Sequence, residues 1–465
     1  MAATTKHILH ETRALCPTCL EALPAEVFTE DDDPTVWMSR VCSEHGEFTT
    51  RMWPDAEHYM CMREQAFPKT RPAHTIDPSG PCPKGCGICH RHSRKVTLVE
   101  IEVTERCNLR CPVCFMAAES ADTDPSLESL QNFYQAIYDQ LGADTAVQLT
   151  GGEPTVRKDL PEIVRMGREK GFYGIEVNTN GVEIAKDNGL LEALKEAGLT
   201  GIYLQFDGLQ KEPYLQIRGA DLLETKMRAI ERCREVGLQM VLAMTIVSGL
   251  NDSEIADVID FALDNSDIVV GVALQPAFTS GRFEAQRATP ISMGDVIMMV
   301  DEQTNGFITK EDIWPLGCSH PLCDSGTYLM RTREKAEGES NADIYVPVTR
   351  EISVDDFKTD FDPNSPQGSI FGDLITKRGG STYRGVSILI MNYMDAVNMD
   401  LERMSECSMF VTMADGKLIP FCSYQLTNSE GERVYPMWGI DEEVSSGAAG
   451  VHAGANPVAH NKERQ

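Results

Sequence analysis

Residues 104–115 read "TERCNLRCPVCF" and place Cys107, Cys111 and Cys114 in the spacing C-x3-C-x2-C. A closed tetrahedral metal site takes four protein ligands. Three thiols leave one position open. Alone, the spacing suits a zinc knuckle completed from elsewhere. It equally suits three irons of a 4Fe–4S cube whose fourth iron stays open to an outside ligand.

The surroundings of the motif bear on that choice. Strand-like runs recur at "VTLVEIEVT" (96–104), "AVQLTG" (146–151), "GIEVNTNG" (174–181), "GIYLQFDG" (201–208), "MVLAMTIVSG" (240–249) and "IVVGVALQP" (268–276). Segments with helical spacing lie between them. "SLESLQNFYQAIYDQLGA" sets Leu127, Leu130, Tyr134, Ile137 and Leu141 on one face. Several of these segments start at Asp or Ser and stop at Gly or Asn. Six strand–helix units predict a parallel sheet covered by helices and curled into a partial barrel. The three cysteines then follow the first strand, at the end where barrel loops build active sites.

Further motifs close the later strands. "LTGGEPT" ends the second, "NTNG" the third, "QFDG" the fourth, "TIVSGLND" the fifth and "ALQP" the sixth. This order, over about residues 97–280, resembles the radical S-adenosylmethionine (SAM) superfamily. The resemblance implies that Cys107, Cys111 and Cys114 hold a 4Fe–4S cluster whose open iron is chelated by SAM. It implies reductive cleavage of SAM to a 5′-deoxyadenosyl radical that takes hydrogen from unactivated carbon. Gly151 and Gly152 would let the backbone approach the SAM amino group, with Glu153 and Pro154 completing that motif. Asn178 and Asn180 would meet SAM polar groups, Asp207 the ribose or substrate, and the fifth strand the adenine. Val113 stands where many members carry an aromatic residue. Arg218, in "QIRGAD", is a candidate carboxylate partner, with a surface ion pair as the preferred reading.

The chain has fifteen cysteines, fourteen of them outside residues 115–317; the exception, Cys233, fits a helical core position. "CPTC" (Cys16, Cys19) and "CSEHGEF" (Cys42, His45) carry the spacing of a mononuclear zinc or rubredoxin-type iron site, with Cys61 a rival to His45. "CPKGCGICHRH" repeats C-x3-C-x2-C at Cys82, Cys86 and Cys89, ahead of the barrel. It suits an auxiliary 4Fe–4S cluster with a fourth ligand from Cys61, His90 or His92, or a second zinc site. Cys318, Cys323, Cys407 and Cys422 are candidates for a further cluster, or for buried free thiols.

Hydrophobic content of 42% and charged content of 24% describe a soluble globular chain. The formal net charge of −29 opposes a nucleic-acid partner. The sequence shows no long apolar run and no apolar core of a leader peptide, so the cytoplasm is expected. The expected class is α/β: a small metal-binding N-terminal domain (1–95), a partial (β/α)6 radical SAM barrel (96–290), an irregular cluster-bearing C-terminal extension (291–430) and a tail (431–465).

The blocks "ALCPTCLEALPAEVF…VCSEHGEF", "CPKGCGICHRH" and "MDAVNMDLERM…MADGKLIPFCSYQ" are similar to the tetraether lipid synthase group and to dihydropterin dimethyltransferases. The resemblance implies an enzyme acting on sp3 carbon, with C–C coupling of isoprenoid lipid chains as the leading expectation and pterin methylation as the alternative. An electron carrier of iron–sulfur type is the reading from another class. A reductant such as ferredoxin or flavodoxin is implied, as is peripheral membrane contact for a lipid substrate. The methionines of "ILIMNYM", "VIMMV" and "SMFVTM" would line an apolar groove or pack an ordinary core.

Overall fold

The computed structural model describes residues 5–78, 80–118, 124–283, 290–362 and 385–435. Four strands, β1 (Lys6–Leu15), β2 (Ala22–Glu30), β3 (Asp33–Cys42) and β4 (Gly46–Trp53), form an antiparallel sheet in chain order. Their alternation turns Val27, Val36 and Met38 into a shared core. Helix α1 (Ala56–Arg63) follows, capped by the Asp55 side chain, which accepts from the His58 amide.

The six expected strands are present: β5 (Leu98–Thr104), β7 (Ala146–Gly151), β8 (Ile175–Thr179), β9 (Gly201–Gln205), β10 (Met240–Ile246) and β11 (Val269–Pro276), with the two-residue β6 (Val113–Cys114) in the loop after the first. They lie side by side in chain order, all parallel. Helices α2 (Leu127–Leu141), α3 (Leu160–Lys170), α4 (Leu190–Glu196), α5 (Lys211–Arg218), α6 (Leu223–Val236) and α7 (Ile255–Asp264) fill the connections. Helix α2 buries Leu130, Phe133, Tyr134 and Ile137, the predicted stripe widened by one aromatic. Val99, Ile101 and Val103 of β5 belong to the same core. The alternate residues Glu100 and Glu102 therefore face the barrel interior.

The chain after residue 290 is less irregular than expected. Past β12 (Arg282–Phe283) and helix α8 (Met293–Gln303) come β13 (Trp314–Pro315), β14 (Asp324–Arg331), β15 (Tyr345–Pro347), β16 (Gly385–Met391), β17 (Met409–Thr412) and β18 (Leu418–Pro420). Strand β16 adds parallel to β11, and β17 adds parallel to β5. The barrel wall thus gains a parallel strand on each side from a region predicted to lie outside it. The runs "SILIM" and "MFVT" follow no strand–helix rhythm, so their sequence hid this role.

Most of the loop read at "DFDPNSPQGS" and most of the tail lie outside the described residues. Residues 431–435 are in place: the Tyr435 hydroxyl donates to Pro83 O and accepts from the Cys86 amide. The N-terminal sheet docks on the barrel through a two-pronged Arg51–Asp295 pair, both contacts at 2.8 Å. Among the described residues, no helix is long and apolar enough to cross a membrane.

Candidate active site

Cys107, Cys111 and Cys114 border one cavity of about 310 Å³ at the carboxyl end of the barrel. Gly151, Gly152, Glu153, Asn178, Asn180 and Arg218 border it too. The cysteine loop is held from two sides. Strand β12 pairs with β6, and the Arg282 guanidinium donates to Cys111 O, Ala117 O and Ala118 O. On the other side, Gly152 N donates to Thr104 O at 2.7 Å and Glu153 N to Arg106 O at 2.8 Å. A Cβ on Gly151 would come within 2.2 Å of Thr104 O, and one on Gly152 within 2.2 Å of Arg106 O. Gly151 thus packs on the end of β5 and Gly152 on the cysteine loop's own backbone, so both positions require glycine in the ligand-free chain.

Glu153 is almost wholly buried. Its Oε1 accepts from the Thr155 amide and the Thr179 hydroxyl, and its Oε2 from the Asn180 amide at 2.7 Å. It ties the end of β7 to the end of β8. Burial raises its carboxyl above the usual range, and these contacts, with the Thr155 hydroxyl, oppose that rise. Pro154 opens the short 3-10 turn that Glu153 caps. Asn180 donates to Asn108 Oδ1 at 2.7 Å, bridging to the cysteine loop.

Two expectations change. Asp207 is fully buried, and Arg218 occupies both its oxygens, with Nε to Oδ2 at 2.6 Å and Nη2 to Oδ1 at 2.8 Å. Asp207 thus backs Arg218, where ribose or substrate contact was expected. Arg218 is not at the surface: it is 9% exposed and also donates to Val113 O and Thr245 Oγ1. Helix α5 ends at this residue and delivers the guanidinium to the cavity. Burial pushes the Cys107 thiol up to about 12 and raises Cys111, while nearby Arg218 draws Cys111 back down. Three thiols opening on one cavity beside a fixed cation fit a cluster that must accept an outside anion-bearing ligand.

Below this rim the barrel interior holds a polar cluster between apolar walls, which the motifs do not mark. Glu100, Gln148, Glu176, Asn178, Tyr203, Gln205 and Gln275 line the same cavity. Glu100, Gln148 and Glu176 stand in register across β5, β7 and β8. Gln148 donates to Glu176 at 2.9 Å and accepts from Asn178 at 3.3 Å. Burial first, then Glu102, pushes Glu100 up to about 8. The signal was legible in part: β5 and β8 carry Glu or Asn at alternate positions and β7, β9 and β11 each carry one Gln, where a packed barrel would carry Val, Ile or Leu.

Cys16, Cys19, Cys42 and His45 converge, their ligand atoms all within 4.8 Å of one another. Cys19 Sγ lies 3.9 Å from Cys42 Sγ, and His45 Nδ1 lies 3.6 and 3.4 Å from Cys16 and Cys42 Sγ. A tetrahedral ion bound at about 2.3 Å to sulfur and about 2.0–2.1 Å to nitrogen has edges of this length. The rival Cys61 is exposed on α1 and accepts only a weak contact from Gln65. Cys82 and Cys86 lie 3.8 Å apart, with Cys89 buried nearby in sequence. His92, offered as their partner, packs edge-on against Phe410, and His90 is exposed. In the third set, Cys407 is pushed up by burial and then by Cys422 and Cys323. Cys318 instead donates to Asp324 Oδ2 at 3.3 Å. Cys323, Cys407 and Cys422 thus lie within charge interaction of one another, and Cys318 turns toward a carboxylate. Cys233 is a buried core residue, as read.

The parallel barrel and its glycine-braced three-cysteine loop define a radical SAM enzyme, and the chain belongs to the radical SAM superfamily, whose model matches residues 101–262. The HMPTM N-terminal zinc ribbon domain matches residues 8–54. The chain is 33% identical over 481 aligned positions to 7,8-dihydro-6-hydroxymethylpterin dimethyltransferase of Methanocaldococcus jannaschii, spanning 89% of this chain and 93% of that protein. A probable GTP 3′,8-cyclase of Pyrococcus abyssi is 35% identical over 176 positions, covering 38% of this chain and 56% of that one. Among solved structures, Streptococcus suis SuiB bound to S-adenosylmethionine aligns over 46% of this chain and 48% of its own, at 16% identity and a TM-score of 0.39.

Proposed function

We propose that this radical SAM enzyme methylates carbon of a reduced pterin of the 7,8-dihydro-6-hydroxymethylpterin type. The observation that carries the reading is the polar barrel interior: Glu100, Gln148, Glu176 and Asn178 offer hydrogen bonds to a compact heterocycle. The near full-length similarity to a pterin dimethyltransferase supports it. The expected lipid-chain coupling finds no such support. Of the methionine runs, Met391 and Met409 border the cavity, whereas Met394 and Met413 pack an ordinary core.

Cys107, Cys111 and Cys114 would hold the 4Fe–4S cluster, and Arg218, Asn180 and the Gly151–Pro154 turn would frame SAM. Bound there, cluster and SAM would supply one-electron, hydrogen-abstracting chemistry. The chain's own part is to orient and to exclude water. Asp207 fixes Arg218, Glu153 fixes the two strand ends, and Phe115, Tyr393 and Phe421 close the apolar side of the cavity. Cys82, Cys86 and Cys89, and separately Cys323, Cys407 and Cys422, would hold auxiliary clusters; Cys16, Cys19, Cys42 and His45 would hold zinc. A small acidic electron carrier of the ferredoxin or flavodoxin class would supply electrons.

The test is anaerobic incubation of reconstituted enzyme with SAM and dithionite. Added 7,8-dihydro-6-hydroxymethylpterin should raise 5′-deoxyadenosine formation above the substrate-free background. No rise would overturn the reading.

A further inference from the structure

Two acceptors in the barrel interior stand apart from their neighbours. Gln148, Glu176 and part of Asn178 satisfy one another. Among the described residues, Glu100 Oε2 and Asn178 Oδ1 are buried without a hydrogen-bond partner. Both residues line the cavity, and Glu100 is 3% exposed. A buried carboxyl without partners carries an uncompensated desolvation cost, so it is retained where something else completes it.

The surroundings say what that group is. Leu98, Met409, Tyr393 and Phe421 give the same cavity apolar and aromatic walls. A flat ring fits between such walls, with its polar edge toward β5. Of the unsatisfied buried atoms, the two that belong to residues lining this cavity are both carbonyl or carboxyl oxygens, and they ask for a ligand edge rich in N–H groups. Among the described residues, no cation is bonded to Glu100 Oε2.

We infer that Glu100 is the substrate anchor of this barrel, accepting the paired N–H donors of a 2-amino-4-oxopyrimidine edge. The inference rests on the pterin reading and adds its recognition residue. The 2-amino group and N3–H lie side by side and match the two oxygens of the ionised carboxylate, the form that such a contact favours once the ligand is bound. Asn178 Oδ1 offers a further acceptor to the same ring. The opposite end of the ring then points up toward the cysteine loop, so the anchor also sets which carbons are presented to the chemistry.

The experiment is equilibrium binding by the full-length, anaerobically reconstituted protein. The probes are 6-hydroxymethylpterin and 6-hydroxymethyllumazine, which differ in carrying an amino or an oxo group at C2. The wild type should hold the pterin about tenfold or more tightly, because a site built for an N–H donor rejects the analogue lacking it. Glu100→Gln should lose most of that preference with unchanged iron content. Binding of neither compound by the wild type would overturn the pterin reading and the anchor together. Equal binding of the two, or a full preference surviving in Glu100→Gln, would overturn the anchor and leave the pterin reading standing. The wild-type comparison decides the matter even where the variant fails to assemble.

Discussion

Arg218 grips Asp207 with two parallel hydrogen bonds of 2.6 and 2.8 Å, and only the arginine reaches the cavity. Asp207 is enclosed, holding the Thr245 amide as well as the guanidinium. Breaking such a pair leaves a buried charge alone. Arg218→Met should therefore lower unfolding stability by about 3–5 kcal/mol. Chemical denaturation measures it, and Arg218→Met with Asp207→Leu together should recover part of the loss.

Gly152 is where the substrate-framing turn touches the cysteine loop. Gly152→Ala sets a methyl within 2.2 Å of Arg106 O, which is backbone and cannot swing aside. The variant should lose about 1–3 kcal/mol and incorporate less iron on reconstitution. A normal iron content with normal stability would contradict the assigned contact.

Glu100 links stability to pH. Its carboxyl sits near 8 in the folded chain, against 4.5 as the ordinary value. Between those values the unfolded chain releases a proton that the folded chain keeps, so folding stability falls as pH rises. Below pH 4.5 the contribution is fully present. Glu102 and Glu176 act in the same direction, so only the difference between wild type and Glu100→Gln isolates the residue. In ligand-free protein, Glu100→Gln should melt close to wild type at pH 5 and above it, by about 2 °C or more, at pH 8.5. A gap independent of pH would contradict the buried carboxyl.

Removal of metal should act locally at first. Cys19→Ser opens the tetrahedral set of Cys16, Cys19, Cys42 and His45. About one equivalent of zinc should be lost, with faster proteolysis of β1–β4. Elemental analysis and limited digestion check this; full zinc content would contradict the site.

The parts of the fold that repeat were readable: six strands, five of the helices between them by their apolar stripes, and the cysteine loop at a strand end. Strands β16 and β17 were not, because four to seven apolar residues without a repeating frame specify no neighbour. The zinc-type set was readable because its ligands are close in sequence. Arg218 and Asp207 were misplaced because burial depends on the packing of α5 over the barrel mouth, which spacing does not reveal. Glu100 was written in "LVEIEVT", yet its meaning appears only once alternation assigns that face to a lumen instead of a packed core.

The most direct test of the account supplies 7,8-dihydro-6-hydroxymethylpterin deuterated at its sp3 carbons to the reconstituted enzyme with SAM and reductant. The account predicts deuterium in the 5′-deoxyadenosine produced. Label-free 5′-deoxyadenosine formed in the presence of that substrate would contradict it.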